Sequence, residues 1–313
     1  MSRTHSESGF SLVELLVATG LLLLVSSIVT TALLQMTQSQ TTIWNRTEMH
    51  SGIRGATELL QQEVGQAGRV ALPGTKTLGS AVTGAVDPCV TSTTVTVSPS
   101  TAGMFVSELL TVLDGDTQET VRVTAIPSAT QITTCFSQNH LSGATIAAMG
   151  SFATGIVPPT GIVGGSSATV LKMFGDVNGD GNMVYVEYTC DAAVSHNLYR
   201  NVMAYSAVSK PAVTDSHILL SNIIANPGGT PCFTYQTTTM IVQGTPFTFV
   251  LDVAVTLTVE TQQIDPVTRV RQTETKALLN VSPRNVFNAW MLASMGYTDR
   301  IQSTPATVTA LLP

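Results

Sequence analysis

Hydrophobic and polar positions follow three rhythms along the chain. The first covers residues 9 to 35, GFSLVELLVATGLLLLVSSIVTTALLQ, where apolar residues succeed one another without a period and Glu14 is the only charge. From Leu15 to Leu34 nothing is charged, and about 20 such residues rising 1.5 Å each make a helix that crosses ~30 Å of hydrocarbon. Gly20, Val25, Ile28 and Val29 weaken a helix in water, but in lipid the backbone has no other partner, so helix is expected. In the second rhythm Ile43, Trp44, Met49, Ile53, Ala56, Leu59, Leu60, Val64 and Ala67 recur every three or four residues, the stripe of an amphipathic helix backing a folded domain. No proline interrupts residues 1 to 72, and Pro73-Gly74 ends the pattern. Together they predict one helix over residues 10 to 70, roughly 90 Å long. Its residues 10 to 35 form the transmembrane part, and Trp44 falls where it leaves the membrane interface.

The third rhythm is alternation. Residues 71 to 166 are rich in Thr, Ser, Gly and Ala, and TSTTVTV (91 to 97), SELLTVL (107 to 113), ETVRVTAI (119 to 126) and ATQITTCF (129 to 136) read as strands between turns such as Asp114-Gly115. They predict a small barrel-like or sandwich-like β-rich insertion subdomain. Residues 151 to 167, with Pro158-Pro159 and Gly164-Gly165, read as a linker back to the main domain. From 167 to 313 a longer antiparallel sheet is expected, with strands at ATVLKMF (168 to 174), MVYVEYTC (183 to 190), NLYRNVMAY (197 to 205), CFTYQTT (232 to 238), FTFVLDVAVTLTVE (247 to 260) and RVRQTETKALLNV (269 to 281). The last two form a long hairpin across Asp265-Pro266. HILLSNIIANP (217 to 227) reads as a strand edge or a short helix, and VFNAWMLASMGYTDRIQ (286 to 302) as a helical tail. The closing STPATVTALLP receives no assignment. The fold class is α+β, a long N-terminal helix packed on an antiparallel β-sheet head, with a β-rich insertion.

Composition narrows the function. Only 11% of the residues are charged, the net charge is −6, and no basic patch is long enough for nucleic acid. Arg46, Arg54 and Arg69 are spread along the helix, as on a solvated face. The four cysteines lack a CxxC spacing, which argues against zinc or thioredoxin chemistry. Behind an export signal two disulfides are the natural reading. Of three connectivities, Cys89–Cys135 and Cys190–Cys232 are favoured because each pair falls within one β-rich section; four buried thiols are the alternative. His5, His50, His140, His196 and His217 show no H-E-x-x-H, and neither G-x-S-x-G nor a P-loop occurs, so no enzyme and no required cofactor is expected. One stretch fits D-x-[DN]-x-[DN]-G-x5-E: Asp176, Asn178, Asp180, Gly181, Asn182 and Glu187. Short oxygen side chains converging at a glycine turn, completed by a bidentate glutamate, suit a structural Ca²⁺. A strand after the loop lets Glu187 point away, and the same letters also read as a hairpin turn.

Residues 1 to 9, MSRTHSESG, are polar, carry Arg3 and end in glycine. A secretory signal places its small-residue cleavage site after the apolar run, and none follows Leu34. Cleavage between Gly9 and Phe10 keeps the helix and gives Phe10 a free amine. In lipid that amine meets Glu14 of a neighbouring copy, a carboxylate whose burial costs about 2.5–3.5 kcal/mol at the membrane centre and less near its edge. Gly9-Phe10-Ser-Leu-Val-Glu14 resembles the class III signal of type IV prepilins. The resemblance implies a leader at 1–9, cleavage and N-methylation of Phe10 by a prepilin peptidase, and a helix packed into a filament core with Glu14 serving assembly.

A second resemblance covers about 168 to 286. The succession VEYTC, NLYRNV, HILLSNI, CFTY and a long hairpin ending VSPRNV is similar to PilW-type minor pilins and to the J-type pseudopilins of type II secretion. It implies a non-catalytic minor pilin that primes pilus assembly near the tip, held as a single-pass inner-membrane protein with a periplasmic head before it joins the extracellular pilus. Its partners are then the peptidase, the inner membrane, and other minor and major pilins through the helix. A J-type pseudopilin is the alternative, against which the size of the insertion counts. A membrane-anchored periplasmic enzyme or binding protein is a third, lacking a convergent catalytic set.

Overall fold

The computed structural model describes residues 9, 11–87, 89–90, 92–242 and 244–313, with only the backbone at 279. They form two compact units: the described residues up to Ser51 with Glu260–Thr273, and Gly52–Val259 with Glu274–Pro313. Helix α1 (Leu12–Gln66) runs unbroken for 55 residues. In its first unit, the large apolar side chains from Leu12 to Met36 are all exposed. Thr19, Thr30, Thr31, Thr37 and Thr41 turn their hydroxyls onto carbonyls four residues back, at 2.8–3.0 Å. Each therefore satisfies its own polar group on the helix, which removes most of the penalty of placing threonine in hydrocarbon.

In the second unit α1 behaves differently. Ile53, Ala56, Leu60, Val64 and Ala67 are buried, at the three-to-four spacing that the sequence displays. The helix ends at Gln66, and Gly68 adopts a left-handed φ of 81° with its N–H on the Phe174 carbonyl at 2.9 Å. A Cβ on Gly155 would stand 2.1 Å from the Gly68 Cα. The two backbones touch there, and only glycine permits it.

Seven antiparallel strands follow: β1 (Lys76–Leu78), β2 (Thr93–Ser98), β3 (Leu109–Asp114), β4 (Thr117–Arg122), β5 (Ala125–Ser128), β6 (Gln131–Thr134) and β7 (Thr145–Ala148), in the order β4-β3-β7-β1-β2-β6-β5. Leu78, Val95, Val97, Leu110, Val112, Ile132 and Ile146 give this sheet a core of its own. Cys89 is bonded to Cys135, closing 46 residues of chain at the sheet's edge. Residues 151–167 are not a linker. Phe152, Ala153, Ile156 and Val157 are fully buried, and β8 (Ser151–Phe152) pairs in parallel with a strand 150 residues later. The glycines that suggested flexibility serve close backbone approach instead.

The remaining strands are β9 (Val170–Gly175), β10 (Val184–Asp191), β11 (Asn197–Ala204), β12 (Ile218–Ser221), β13 (Ile223–Ile224), β14 (Phe233–Val242), β15 (Thr245–Glu260), β16 (Thr273–Val281) and β17 (Ile301–Gln302). Instead of one long sheet, β9 to β16 make two of four strands, β12-β11-β10-β9 and β13-β15-β14 with β16 also on β15, while β17 pairs with β8. The division falls at Asn222, whose φ of 58° breaks HILLSNII into β12, paired with β11, and β13, paired with β15. Asparagine tolerates that left-handed turn where most residues do not. The Cys190–Cys232 disulfide joins β10 of one sheet to the start of β14 in the other. Closing 42 residues, it stabilises by about 3–4 kcal/mol on the loop-entropy estimate.

Helices α2 (Arg284–Ser294) and α3 (Ala306–Leu311) complete the unit. Val308, Leu311 and Leu312 fill a core with Phe105, Phe152, Phe174 and Tyr185, so the unassigned tail is interior. Gln302 links the insertion to the tail: its amide accepts from the Leu109 N–H at 2.9 Å and donates to the Leu109 and Met149 carbonyls.

One polar cluster fastens α1 to the sheet. Glu63, buried on the helix's inward face, accepts from the Tyr188 hydroxyl at 2.5 Å and from the Arg200 guanidinium at 3.1 Å. Tyr188 and Arg200 stand directly opposite each other on β10 and β11. Burial first, then the Glu63 charge, keeps the Tyr188 phenol protonated far above its usual range. Glu63→Ala strands a cation that keeps only 24% of its side chain in water. Urea denaturation of the full chain in detergent should show a loss of about 3 kcal/mol, the low end of the range for a broken buried pair.

Candidate functional site

The sequence places its strongest chemistry at the start of α1. Phe10 lies outside the described residues, as do residues 1–8 of the leader. Gly9 is exposed, with no atom within 4 Å of where a Cβ would stand. Ser11 caps the helix: its Oγ accepts from the Val13 N–H at 3.3 Å and its carbonyl from the Leu15 N–H at 3.1 Å. Glu14 reaches back, and its Oε2 accepts from the Ser11 N–H at 3.1 Å. These bonds satisfy helix-start donors that have no other partner in lipid, with Glu14 making its half of a capping box and Ser11 bonding the second helical N–H where the full box bonds the third. The carboxylate thus has a role within its own chain, and its second oxygen remains open to an external donor. The S-x-x-E spacing of Ser11 and Glu14 is the signal that reveals the cap.

The residues of the calcium motif are not all brought together. Asp176 Oδ1 accepts from the Asp180 N–H at 3.0 Å, and Asp180 Oδ1 from the Asn182 N–H at 2.9 Å, so the aspartates fold the turn between β9 and β10. Asp176 is fully buried, and Arg69 approaches its Oδ2 at 3.5 Å. Arg69 lies beyond the end of α1, so it is a counter-charge to this turn and no part of a helix face. Glu187 does not join Asp176, Asn178, Asp180 and Asn182. It sits on β10 opposite Lys172, accepting from Lys210 at 2.7 Å and Tyr185 at 3.0 Å. Among the described residues no group of three or more His, Cys, Asp or Glu is placed to hold a metal. The arrangement does not fit a calcium shell, because a guanidinium occupies the cation's side and the twelfth-position carboxylate is engaged elsewhere.

His140, Glu119 and Ser137 meet in the insertion, with His140 Nε2 2.8 Å from Glu119 and the Ser137 hydroxyl donating to the same carboxylate at 2.6 Å. The serine therefore bonds the acid and not the imidazole, the reverse of the order that activates a nucleophile. His196 bonds the Ile223 carbonyl region of the sheet switch at 3.1 Å, and His217 caps a single turn at Thr214. A cleft of about 420 Å³ flanks the Cys190–Cys232 disulfide, lined by Asp191, Asn226 and Thr230 among others. Asp191 is spent on Ser195 and Val194, which hold its carboxyl below the usual range. Asn226 is spent on Thr230, Thr256 and Thr258. Neither side chain is left to orient a ligand.

Glu108 is the most perturbed carboxyl among these groups. It is fully buried beside Phe105, whose N–H donates at 3.1 Å, while its Oε1 has no partner among the described residues. Burial pushes it up to about 8 against the smaller opposing pull of that N–H.

No protein-family model, curated protein or solved structure matches this chain.

The Glu108 environment has a definite pH signature. Its folded pKa lies above the unfolded one, so the folded state binds the extra proton, and stability falls as pH rises from about 4.5 through about 8. Glu108→Gln keeps the neutral shape and should flatten that slope in melting temperatures recorded from acid to mildly alkaline pH. A slope unchanged by the substitution would assign the pH dependence to other groups.

Proposed function

We propose that the chain is a non-catalytic subunit of a type IV pilus, a minor pilin that helps start filament assembly. The observation that carries this reading is the unanswered apolar surface of α1. Its large apolar side chains from Leu12 to Met36 are exposed, while the same helix from Ile53 onward is buried in its own head. Such a surface needs lipid first and other helices afterwards, the two environments that a pilin helix occupies in turn. It begins three residues after Gly9 and carries one carboxylate, Glu14, near its start. An amine newly exposed on Phe10 of an adjacent copy supplies the charge that Glu14 lacks, and packing in lipid makes that pair worth more than on a wet surface. The two disulfides suit a head that folds outside the cytoplasm.

The type II secretion alternative shares this helix, leader and anchor. The seven-stranded insertion with its own core favours the pilus reading, since a compact J-type head has less room for it.

Mass spectrometry of the mature polypeptide should find methylated Phe10 as its first residue. An intact leader, or cleavage beyond Leu34, would overturn the pilin reading. Glu14→Val should insert into the inner membrane at least as well as the parent, yet co-purify poorly with sheared pili. Wild-type incorporation of that variant would deny the carboxylate any part in subunit pairing.

A further inference from the structure

The tip of the β15–β16 hairpin belongs to the same compact unit as the apolar half of α1, and its fastening gives it a direction. Gln272 accepts from the Arg46 guanidinium and donates to Asp265. Asp265 in turn lies beside Thr42, one helical turn nearer the N-terminus, whose own hydroxyl donates to the Gln38 carbonyl at 3.2 Å. Along the hairpin, the Thr261 N–H meets the Gln272 carbonyl at 2.8 Å, and further out the Asp265 N–H meets the Val270 carbonyl at 3.0 Å. Stepping from Gln272 to Asp265 is thus a step from Arg46 to Thr42, and residues 266–269 lie beyond it on the side of the apolar run.

The tip is rigid and unusually composed. Asp265 Oδ1 accepts from the Val267 and Thr268 N–H groups at 2.8 and 3.0 Å, and the Arg269 N–H bonds the Asp265 carbonyl at 2.9 Å. The Thr268 N–H is the main cause that holds the Asp265 carboxyl below its usual range. Beside the polar Gln262, Gln263 and Thr268, the exposed side chains here are apolar or cationic: Ile264, Val267 and Val270 are each more than half exposed, and Arg269 is exposed with no ion pair among the described residues. A chain of net charge −6 has here placed a bare cation among three exposed aliphatic side chains.

Heights decide what such a tip meets. Thr42 stands eight residues past Leu34, about 12 Å along the helix. The headgroup layer extends roughly 5–8 Å beyond the hydrocarbon, and the direction from Gln272 beside Arg46 to Asp265 beside Thr42 carries the tip back toward it. We infer that the hairpin tip, through Ile264, Val267, Val270 and Arg269, is a second membrane contact that rests in the headgroup layer of an anionic bilayer beside the spanning helix. It rests on the anchor reading of α1. Aliphatic side chains enter the interface while the guanidinium meets lipid phosphate, the combination that holds peripheral elements on membranes. Two attachment points fix the rotation of α1 about its axis, and so select which of its faces is presented to an incoming helix.

The test uses the full chain, one copy per nanodisc, in phosphatidylethanolamine with phosphatidylglycerol. Its described cysteines are all in disulfides, so Val267→Cys and Leu22→Cys each accept a single fluorescent probe. The Leu22 probe should be quenched by nitroxide deep in the acyl chains, and the Val267 probe by nitroxide on the headgroup. Exchanging phosphatidylglycerol for phosphatidylcholine, or adding Arg269→Glu, should remove most of the Val267 quenching and none of that at Leu22. A quenched Leu22 with an unquenched Val267 overturns the inference and leaves the anchor intact. An unquenched Leu22 removes the anchor reading and this inference with it. Shielding of Val267 only in discs carrying two copies would assign the tip to a neighbouring subunit and overturn the membrane contact.

Discussion

One helix has to serve two solvents, and the rest of the structure follows from how it does so. Up to Met36 its apolar residues meet nothing from their own chain, at a cost in water of about 25 cal/mol for each exposed Å². From Ile53 it is a core helix, and Glu63 holds it to the sheet through Tyr188 and Arg200. The helix is continuous from Leu12 to Gln66, and it changes role between the two units.

Much of this was readable in advance because the signals were local. The unperiodic run from Leu15, the stripe from Ile53 to Ala67, and strands such as TSTTVTV (Thr93–Ser98 in the structure) and NLYRNVMAY (Asn197–Ala204) depend on neighbours a few positions away. The cysteine pairs, favoured because each lay within one β-rich section, are the bonds present. What stayed hidden was non-local or double-valued. HILLSNII reads as a strand edge or a short helix, and only Asn222 at φ 58° divides it between two sheets. Gly155 and its neighbours look like linker letters, and only the proximity of Gly68 reveals why glycine is required.

The chemical signals divided in the same way. Glu187 satisfied a calcium pattern by position, but strand pairing set it against Lys172 and Lys210, which a linear motif does not weigh. Two clues lay open. Ser11 stands three residues before Glu14, the spacing of a capping box. Glu63 falls three residues after Leu60 and one before Val64, so a charge occupied the apolar phase of an amphipathic helix. A charged residue in that phase needs a partner on the element it faces, and Arg200 is that partner.

The position of Leu312 bears on how the head is made. It fills the same core as Phe152 and Phe174, and its carbonyl accepts from the Lys172 ammonium, 140 residues earlier in the chain, at 2.5 Å. A polypeptide emerging N-terminus first therefore cannot close this core until residue 312 has arrived. The seven-stranded sheet, with a core of its own, is not held back in this way, but Phe152 and Phe174 stay partly bare until the tail is delivered.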